Sequence, residues 1–330
     1  MWLGSSSWIA DPAVVLLLAL GIDALAGEMR LLFRYVSHPV VAIGKLVAFF
    51  DRRLNRENRS ERARRVRGLI AVLVVVAVVG AIAWFTHVVV GRLRSGWAVE
   101  AFFVAILVAQ RSLYDHVAAV AAALAKDGLV AGRRAVAHIV GRDPDSLDEH
   151  GVARAAVESL FENFADGVVA PIFWYVLLGL PGIAVCKAIN TLDSMIGHKT
   201  PRHRAFGEAA ARLDTAVMFL PARLAGLIIA AAAAVIPGGN PFKALQVMVR
   251  DARKHNSVNA GWPEGAGAGA LGIALAGPRR YHGQVVDAPW IGDGRARITH
   301  EDVTRALRLY VVACLVHAVL MVGWLLLRHV

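Results

Sequence analysis

Two cysteines in 330 residues, Cys186 and Cys314, leave no disulfide framework and no zinc-ligand spacing. The chain has no P-loop, no dinucleotide-binding glycine fingerprint, no Ser–His–Asp order, no heptad array and no internal repeat. Its first 30 residues lack a basic leader and a small-residue cleavage site, so they read as a retained first span. Acidic charge is scarce, at 25 Asp and Glu against 36 Lys and Arg, a net charge of +11. On a soluble chain that surplus points to nucleic acid. This chain is 57% hydrophobic with a mean hydropathy of +0.54, above the soluble range. The surplus then marks cytoplasmic loops, and nucleic acid is not expected as a partner. Arg52, Arg53, Arg56, Arg59, Arg62, Arg64, Arg65 and Arg67 place one such loop, which also suits anionic headgroups.

Apolar runs are what the sequence has in quantity. Five test as spans: 12–27, 69–91, 99–125, 215–236 and 309–327. A bilayer core of about 30 Å needs about 20 helical residues. The second and fifth runs meet that cleanly, and the others carry polar inclusions. A sixth stretch, 168–185, is shorter, carries Pro171 and Pro181 towards its two ends, and could span, re-enter or lie buried. The expected fold is all-α: a single membrane-embedded domain over 1–330 with about five spans and one re-entrant or buried helix. A large soluble helical protein is the rejected alternative, since charge-free runs of this length would need a core that hides them completely.

The polar segments between these runs carry the chemistry. A turn at Gly141 to Ser146 predicts a helix from near Ser146, with Glu149 as capping-box partner. On that helix Glu158, Glu162 and Asp166 recur at i, i+4 and i+8, with Asn163 among them. Like charges at that spacing repel unless a cation meets them, and Mg²⁺ with nucleotide phosphates is a natural partner. A solvated acidic face is the alternative. Lys187, Asn190, Thr191 and Ser194 share a second face, with Asp193 beside them and Gly197 allowing close backbone approach. They suit phosphate and metal, or an interfacial helix with snorkelling polar groups. Arg223 opens an apolar run and needs an anion, either Asp214 or a substrate. His255 and Asn259 at i, i+4 precede Glu264 and the glycines 265, 267, 269 and 272. Those glycines offer amides to a phosphate or close packing to a helix. Asp23, near Gly27 and Glu28, is an intramembrane carboxylate; His38 opens a loop, and Ser112, Tyr114, Asp115 and His116 form a polar patch. A long polar segment, 237–308, opens on Pro237-Gly238-Gly239-Asn240-Pro241 and closes on a loop over 287–297.

Taken in order, these motifs resemble the CobD/CbiB family. They are Asp23 to Glu28, His38-Pro39-Val40, the stretch 158–174, Lys187 to His198, Arg212-Leu213-Asp214, Pro221 to Leu224, and His255 to Glu264 with Ala268 to Gly272. The resemblance covers nearly the whole chain. It implies an adenosylcobinamide-phosphate synthase of cobalamin (vitamin B12) biosynthesis, a ligase in the bacterial inner membrane. Such an enzyme joins adenosylcobyric acid to (R)-1-amino-2-propanol phosphate or threonine phosphate by amide-bond formation with ATP and Mg²⁺. The corrinoid, the aminoalcohol phosphate, membrane lipid and other enzymes of the pathway are the expected partners. Under that reading Glu158, Glu162, Asp166 and Asp193 are candidate metal ligands. Arg223, Lys254, Asn190, Thr191, Ser194, Asn259 and His38 are candidate substrate or phosphate contacts. His255, Glu264 and Lys187 are candidate catalytic groups, with Asp23, Glu28, Asn163 and Asp214 as further candidates. The chain departs from the family pattern at Cys186, Thr215, Met218 and Val258. A transporter using Asp23, Asp115, His116 and Arg223, or a non-catalytic membrane regulator, is the competing expectation. Span counting also leaves the motif segments on no single side of the membrane.

Overall fold

The computed structural model describes residues 11–140, 144–281, 284–286 and 288–327. The chain divides into two compact units, one built from 1–109, 170–218 and 321–330, the other from 110–169 and 219–320. The result is an all-α polytopic membrane protein, with four short strands in two pairs among the described residues.

The first unit holds α1 (Pro12–Ala26), α2 (Arg30–Phe33), α3 (Pro39–Leu54), α4 (Glu61–Val90) and α5 (Gly96–Leu107), then, after the second unit's α6 (Gln110–Val136) and α7 (Glu149–Phe164), α8 (Ala170–Ile196) and α9 (Glu208–Val217). Each start has a local reason. Asp11 caps α1, His38 caps α3 and Ser60 caps α4 by accepting a backbone N–H, and Pro12 and Pro39 supply the preset φ of a first turn. The α3, α4 and α8 helices bury a common apolar seam of Ile43, Val47, Ala71, Val72, Val75, Ala188, Leu192 and Ile196, joined by Phe206 and Ala210. At Gly68 a Cβ would collide with the Phe206 carbonyl, so only glycine lets α4 lie this close to the 200s turn.

The second unit holds α6, α7, α10 (Phe219–Ala233), α11 (Pro241–Asp251), α12 (Gly261–Leu271), strands β1 (Leu275–Ala276), β2 (Arg279–Tyr281), β3 (Gln284–Val286) and β4 (Trp290–Ile291), and most of α13 (His300–Leu327). The strands form two antiparallel pairs, β1 with β4 and β2 with β3. The polar run over 287–297, expected to be a loop, therefore contains a strand. Helices α10, α11 and α12 pack against one another, and α12 also meets α7.

Four stretches are long and apolar enough to cross a membrane: Glu61–Val90, Gly96–Val136, Glu149–Ile196 and His300–Leu327. The broken pair α9 and α10 makes a fifth if counted as one span. Several expected boundaries change. The run 99–125 breaks at Val108, which is extended, and the run 215–236 breaks at Met218. At 15 residues α1 rises about 22 Å, short of a full crossing. The stretch 168–185 lies in a helical path running from α7 through a π-turn at 165–169 into α8, where Gly179 at φ 66° breaks the helix ahead of Pro181. The α7 cap is Asp148, whose Oδ1 accepts the Gly151 N–H at 2.6 Å. The expected cap at Ser146 is displaced because 144–146 closes a 3-10 turn of its own. Residues 141–143 of the expected turn lie outside the described residues.

Candidate active site

In the second unit, the segment joining α11 to α12 brings together His255, Asn259, Glu264 and Arg223. The i, i+4 spacing of His255 and Asn259 does not lie on a helix. Residues 255–260 are a turn, and helix resumes only at Gly261. The Ser257 hydroxyl oxygen accepts the N–H groups of Asn259 and Ala260, which fixes the turn. Ser257 N–H donates to His255 Nδ1 at 2.9 Å, so the neutral ring carries its proton on Nε2. That nitrogen faces Glu264 Oε1 at 3.7 Å, on a side chain only 2% exposed. Beside this pair, Arg223 donates to the Phe219 carbonyl at 2.6 Å and to Asn259 Oδ1 at 3.0 Å. Its guanidinium lies 3.5 Å from the Phe219 ring centroid and 4.5 Å from that of Trp262. Two aromatic faces hold it flat, which suits planar recognition of a carboxylate or phosphate.

Lys254 is otherwise engaged. Its ammonium pairs with Asp251 Oδ1 at 2.8 Å, and Arg250 grips the same carboxylate at 2.7 and 2.8 Å. Asp251 is fully buried and also accepts the Gly292 N–H at 2.8 Å, which ties α11 to the turn after β4. The Arg250 guanidinium, assisted by Lys254 and the Gly292 amide, holds the Asp251 carboxyl well below the usual carboxylate range against the opposing effect of burial. Lys254 is thus tied to Asp251, and with two-fifths of its side chain exposed it stays a candidate phosphate contact.

The glycine-rich run is a packing device. A Cβ at Gly267 would collide with the Phe161 ring, one at Gly269 with the Lys243 carbonyl, and one at Gly265 would press on Met248 Cα at 3.1 Å. These glycines let α12 lie against α7 and α11, and they form no amide cradle for a phosphate.

The acidic row is not one face. Glu158 is buried, and its Oε1 accepts the Ala276 N–H of β1 at 2.8 Å, a structural task for that oxygen. Glu162 is exposed, and Asp166 is half-buried in the π-turn, which rotates it out of the i+8 register. Asn163 donates to the Ser159 carbonyl and hydroxyl, and Ser159 donates to the Ile139 carbonyl. Among the described residues no three His, Cys, Asp or Glu side chains gather as a metal cage. Mg²⁺ bound through one or two carboxylates and nucleotide phosphates needs no such cage.

In the first unit, Lys187, Asn190, Thr191 and Asp193 are half-buried on α8, and Ser194 is exposed. Thr191 donates back to the Lys187 carbonyl at 2.7 Å. A Cβ at Gly197 would collide with the Asp193 carboxylate, so the glycine admits that side chain over the backbone. His38 Nδ1 accepts the Val40 N–H at 3.2 Å, and the ring packs on Phe33. Burial, with the Lys187 charge nearby, lowers the His38 pKa, against an opposing contact with the Ile106 backbone. Asp23 is buried on α1, and Glu28 and Asp214 are half-buried. Thr215 donates to the Ala211 carbonyl, and Met218 is buried as a core side chain. The 112–116 patch resolves into local pairs on α6, Arg111 with Asp115 at 2.9 Å and His116 with the Ser112 carbonyl at 2.8 Å.

Two clusters escape the sequence reading. Glu100, buried in α5, accepts the Tyr175 hydroxyl at 3.1 Å and faces His87 Nδ1 at 3.3 Å. Asp51 accepts Asn55 at 2.8 Å and Arg202 at 2.9 Å, with His203 at 3.3 Å. Buried Arg64, one of the arginine run, donates to Asn55 and to the carbonyls of Pro201 and Arg202. One residue of that run is therefore a structural anchor as well as a topology signal.

The family model described as CobD/Cbib protein matches residues 16–310. A Sinorhizobium protein named cobalamin biosynthesis protein CobD is 50% identical over 313 residues, 92% of this chain and 95% of that one. Proteins of the same name are 46% identical in Brucella suis biovar 1 and 47% in a strain of Rhodobacter capsulatus, each over 90% of this chain and 92% of its own length. No solved structure gives a significant match. With a family match over most of its length and near-full-length relatives at this identity, the chain belongs to the CobD/Cbib family.

Proposed function

We propose that this chain serves cobalamin biosynthesis, the process its relatives are named for, as a ligase of the bacterial inner membrane. The step we assign is amide-bond formation between the carboxylate of adenosylcobyric acid and the amine of (R)-1-amino-2-propanol phosphate or threonine phosphate. ATP would first convert the carboxylate to an acyl phosphate. The amine then attacks the acyl carbon, the C–O bond to phosphate breaks, and the amine loses a proton. Bound with the nucleotide, Mg²⁺ would neutralise phosphate charge.

The observation that carries the reading is the His255–Glu264 pair beside a caged Arg223. Glu264 is the acceptor for the amine proton, because Ser257 fixes the His255 proton on the nitrogen facing it. Arg223 steadies an anionic group of the substrate between Phe219 and Trp262. The buried setting of Glu264 keeps water from an activated acid. Purified protein in lipid, given adenosylcobyric acid, either amine donor and ATP with Mg²⁺, should release ADP and the amide. Glu264→Gln should cut kcat by about 10²–10⁴, while Arg223→Lys should act mainly through KM. A folded wild-type protein that yields no amide with either donor would overturn the proposal.

A further inference from the structure

Helix α11 presents two faces with different fates. Ala244, Val247, Met248 and Asp251 are buried. Phe242, Leu245 and Val249, at i, i+3 and i+7, form a second strip that is 83%, 38% and 66% exposed. At 11 residues α11 rises about 16 Å, half of what crossing requires. Its apolar strip does not stand alone. On α10, Leu220 and Leu227 are exposed apolar side chains of a membrane-embedded helix, and Val235 just beyond its end is 68% exposed. The chain then turns through Pro237-Gly238-Gly239-Asn240, where Gly238 takes φ 73°, and delivers Phe242 five residues after Pro237. Exposed apolar side chains of α10 are thus followed along the chain by those of α11.

Charge follows the same arrangement. Lys243 and Arg250 lie along one edge of the strip, and exposed Arg253 and Lys254 follow at its C-terminal end. The acids Asp251 and Asp293 offset two of these four bases, leaving a local surplus of two positive charges. An amphipathic helix too short to span, apolar on one side and basic at its margin and end, fits an anionic lipid interface.

We propose that α11 lies in the plane of the bilayer interface. Phe242, Leu245 and Val249 sit at the boundary of acyl chains and headgroups, and the Arg253–Lys254 end meets anionic headgroups. The turn that carries His255 leaves α11 at that level, so substrate reaches the His255–Glu264 pair from the membrane surface. The placement of α11 does not depend on which reaction that pair performs.

Nitroxide labels on Phe242→Cys, Leu245→Cys and Val249→Cys test it, in the full chain carrying Cys186→Ala and Cys314→Ala and reconstituted in phosphatidylcholine–phosphatidylglycerol vesicles. Leu227→Cys gives the lipid-facing reference and Arg253→Cys the headgroup reference. The three strip labels should collide with oxygen in preference to a water-soluble nickel chelate, at depths between the two references. Nickel access at the strip equal to that of the Arg253 label would overturn the proposal. So would low access to both reagents, which would mean that a second copy or another protein covers the strip. A benzoylphenylalanine photocrosslinker at 242, in a chain with both cysteines intact, should form lipid adducts, and adducts to protein alone would overturn it.

Discussion

Glu100 and Asp251 are both buried carboxylates, and the two units satisfy them by opposite means. Glu100 lies in an apolar helix and is met by a tyrosine hydroxyl and a histidine nitrogen, groups that give hydrogen bonds without obligatory charge. Asp251, on a helix outside the candidate spans, is met by a guanidinium, an ammonium and a backbone amide. Full charges on the Asp251 partners are tolerable because Arg250 and Lys254 each keep roughly two-fifths of their side-chain surface exposed. A permanent cation beside Glu100 would carry its own desolvation cost among apolar helices. The same acid chemistry is therefore stabilised by ion pairing where water is near and by neutral-capable donors where it is not.

The sharpest way to break this comparison is to delete each acid. Asp251→Ala leaves the buried Gly292 amide without its acceptor and Arg250 and Lys254 without a shared partner, and should cost about 2–3 kcal/mol. Thermal unfolding in detergent should show it, with proteolysis opening near 290–293. Glu100→Gln retains an acceptor for Tyr175, and should cost only about 1–2 kcal/mol. Equal losses in the two variants would erase the distinction. Between them lies Gly267→Ala, whose methyl would meet the Phe161 ring. It should destabilise by about 1–3 kcal/mol, and Phe161→Leu in the same chain should recover part of that loss.

The contrast also marks what the sequence could convey. Long apolar runs at 69–91 and 309–327 became the C-terminal two-thirds of α4 and α13, since a run of that length has one good solution in lipid. The break at Val108 has no glycine or proline beside it, so nothing local announces it, whereas the one at Met218 follows from Pro221, whose ring has no N–H for the Val217 carbonyl and crowds it. Asp251 reads as part of a solvated basic stretch, because the Gly292 amide that explains its burial is 41 residues away. Glu100 stands at the start of an apolar run that outweighs a single acid in any window average. His255, Asn259 and Glu264 were legible as residue types, but their turn was not. The Ser257 hydroxyl spends itself on backbone amides there, holding the segment out of helix until Gly261.

The smallest expected effect separates the units by pH. Asp251 has a depressed folded pKa, so its contribution to stability is present above about pH 4, its unfolded value, and is lost as pH falls further through the folded value. Its window is therefore acidic. His38 also has a depressed folded pKa, with burial as the main cause and Lys187 as a second. A depressed histidine favours the neutral form in the folded state, so its contribution is present above about pH 6.5 and fades as pH falls through the folded value. Protonation would also take the Nδ1 lone pair from the Val40 N–H and uncap α3. Unfolding midpoints measured from pH 7.5 to 5 should therefore fall by a small step in the wild type. That step should be absent in His38→Gln and unchanged in Asp251→Asn, whose difference from wild type should narrow only at lower pH. A step between pH 7.5 and 5 that survives in His38→Gln would assign it to another histidine and remove His38 from the account.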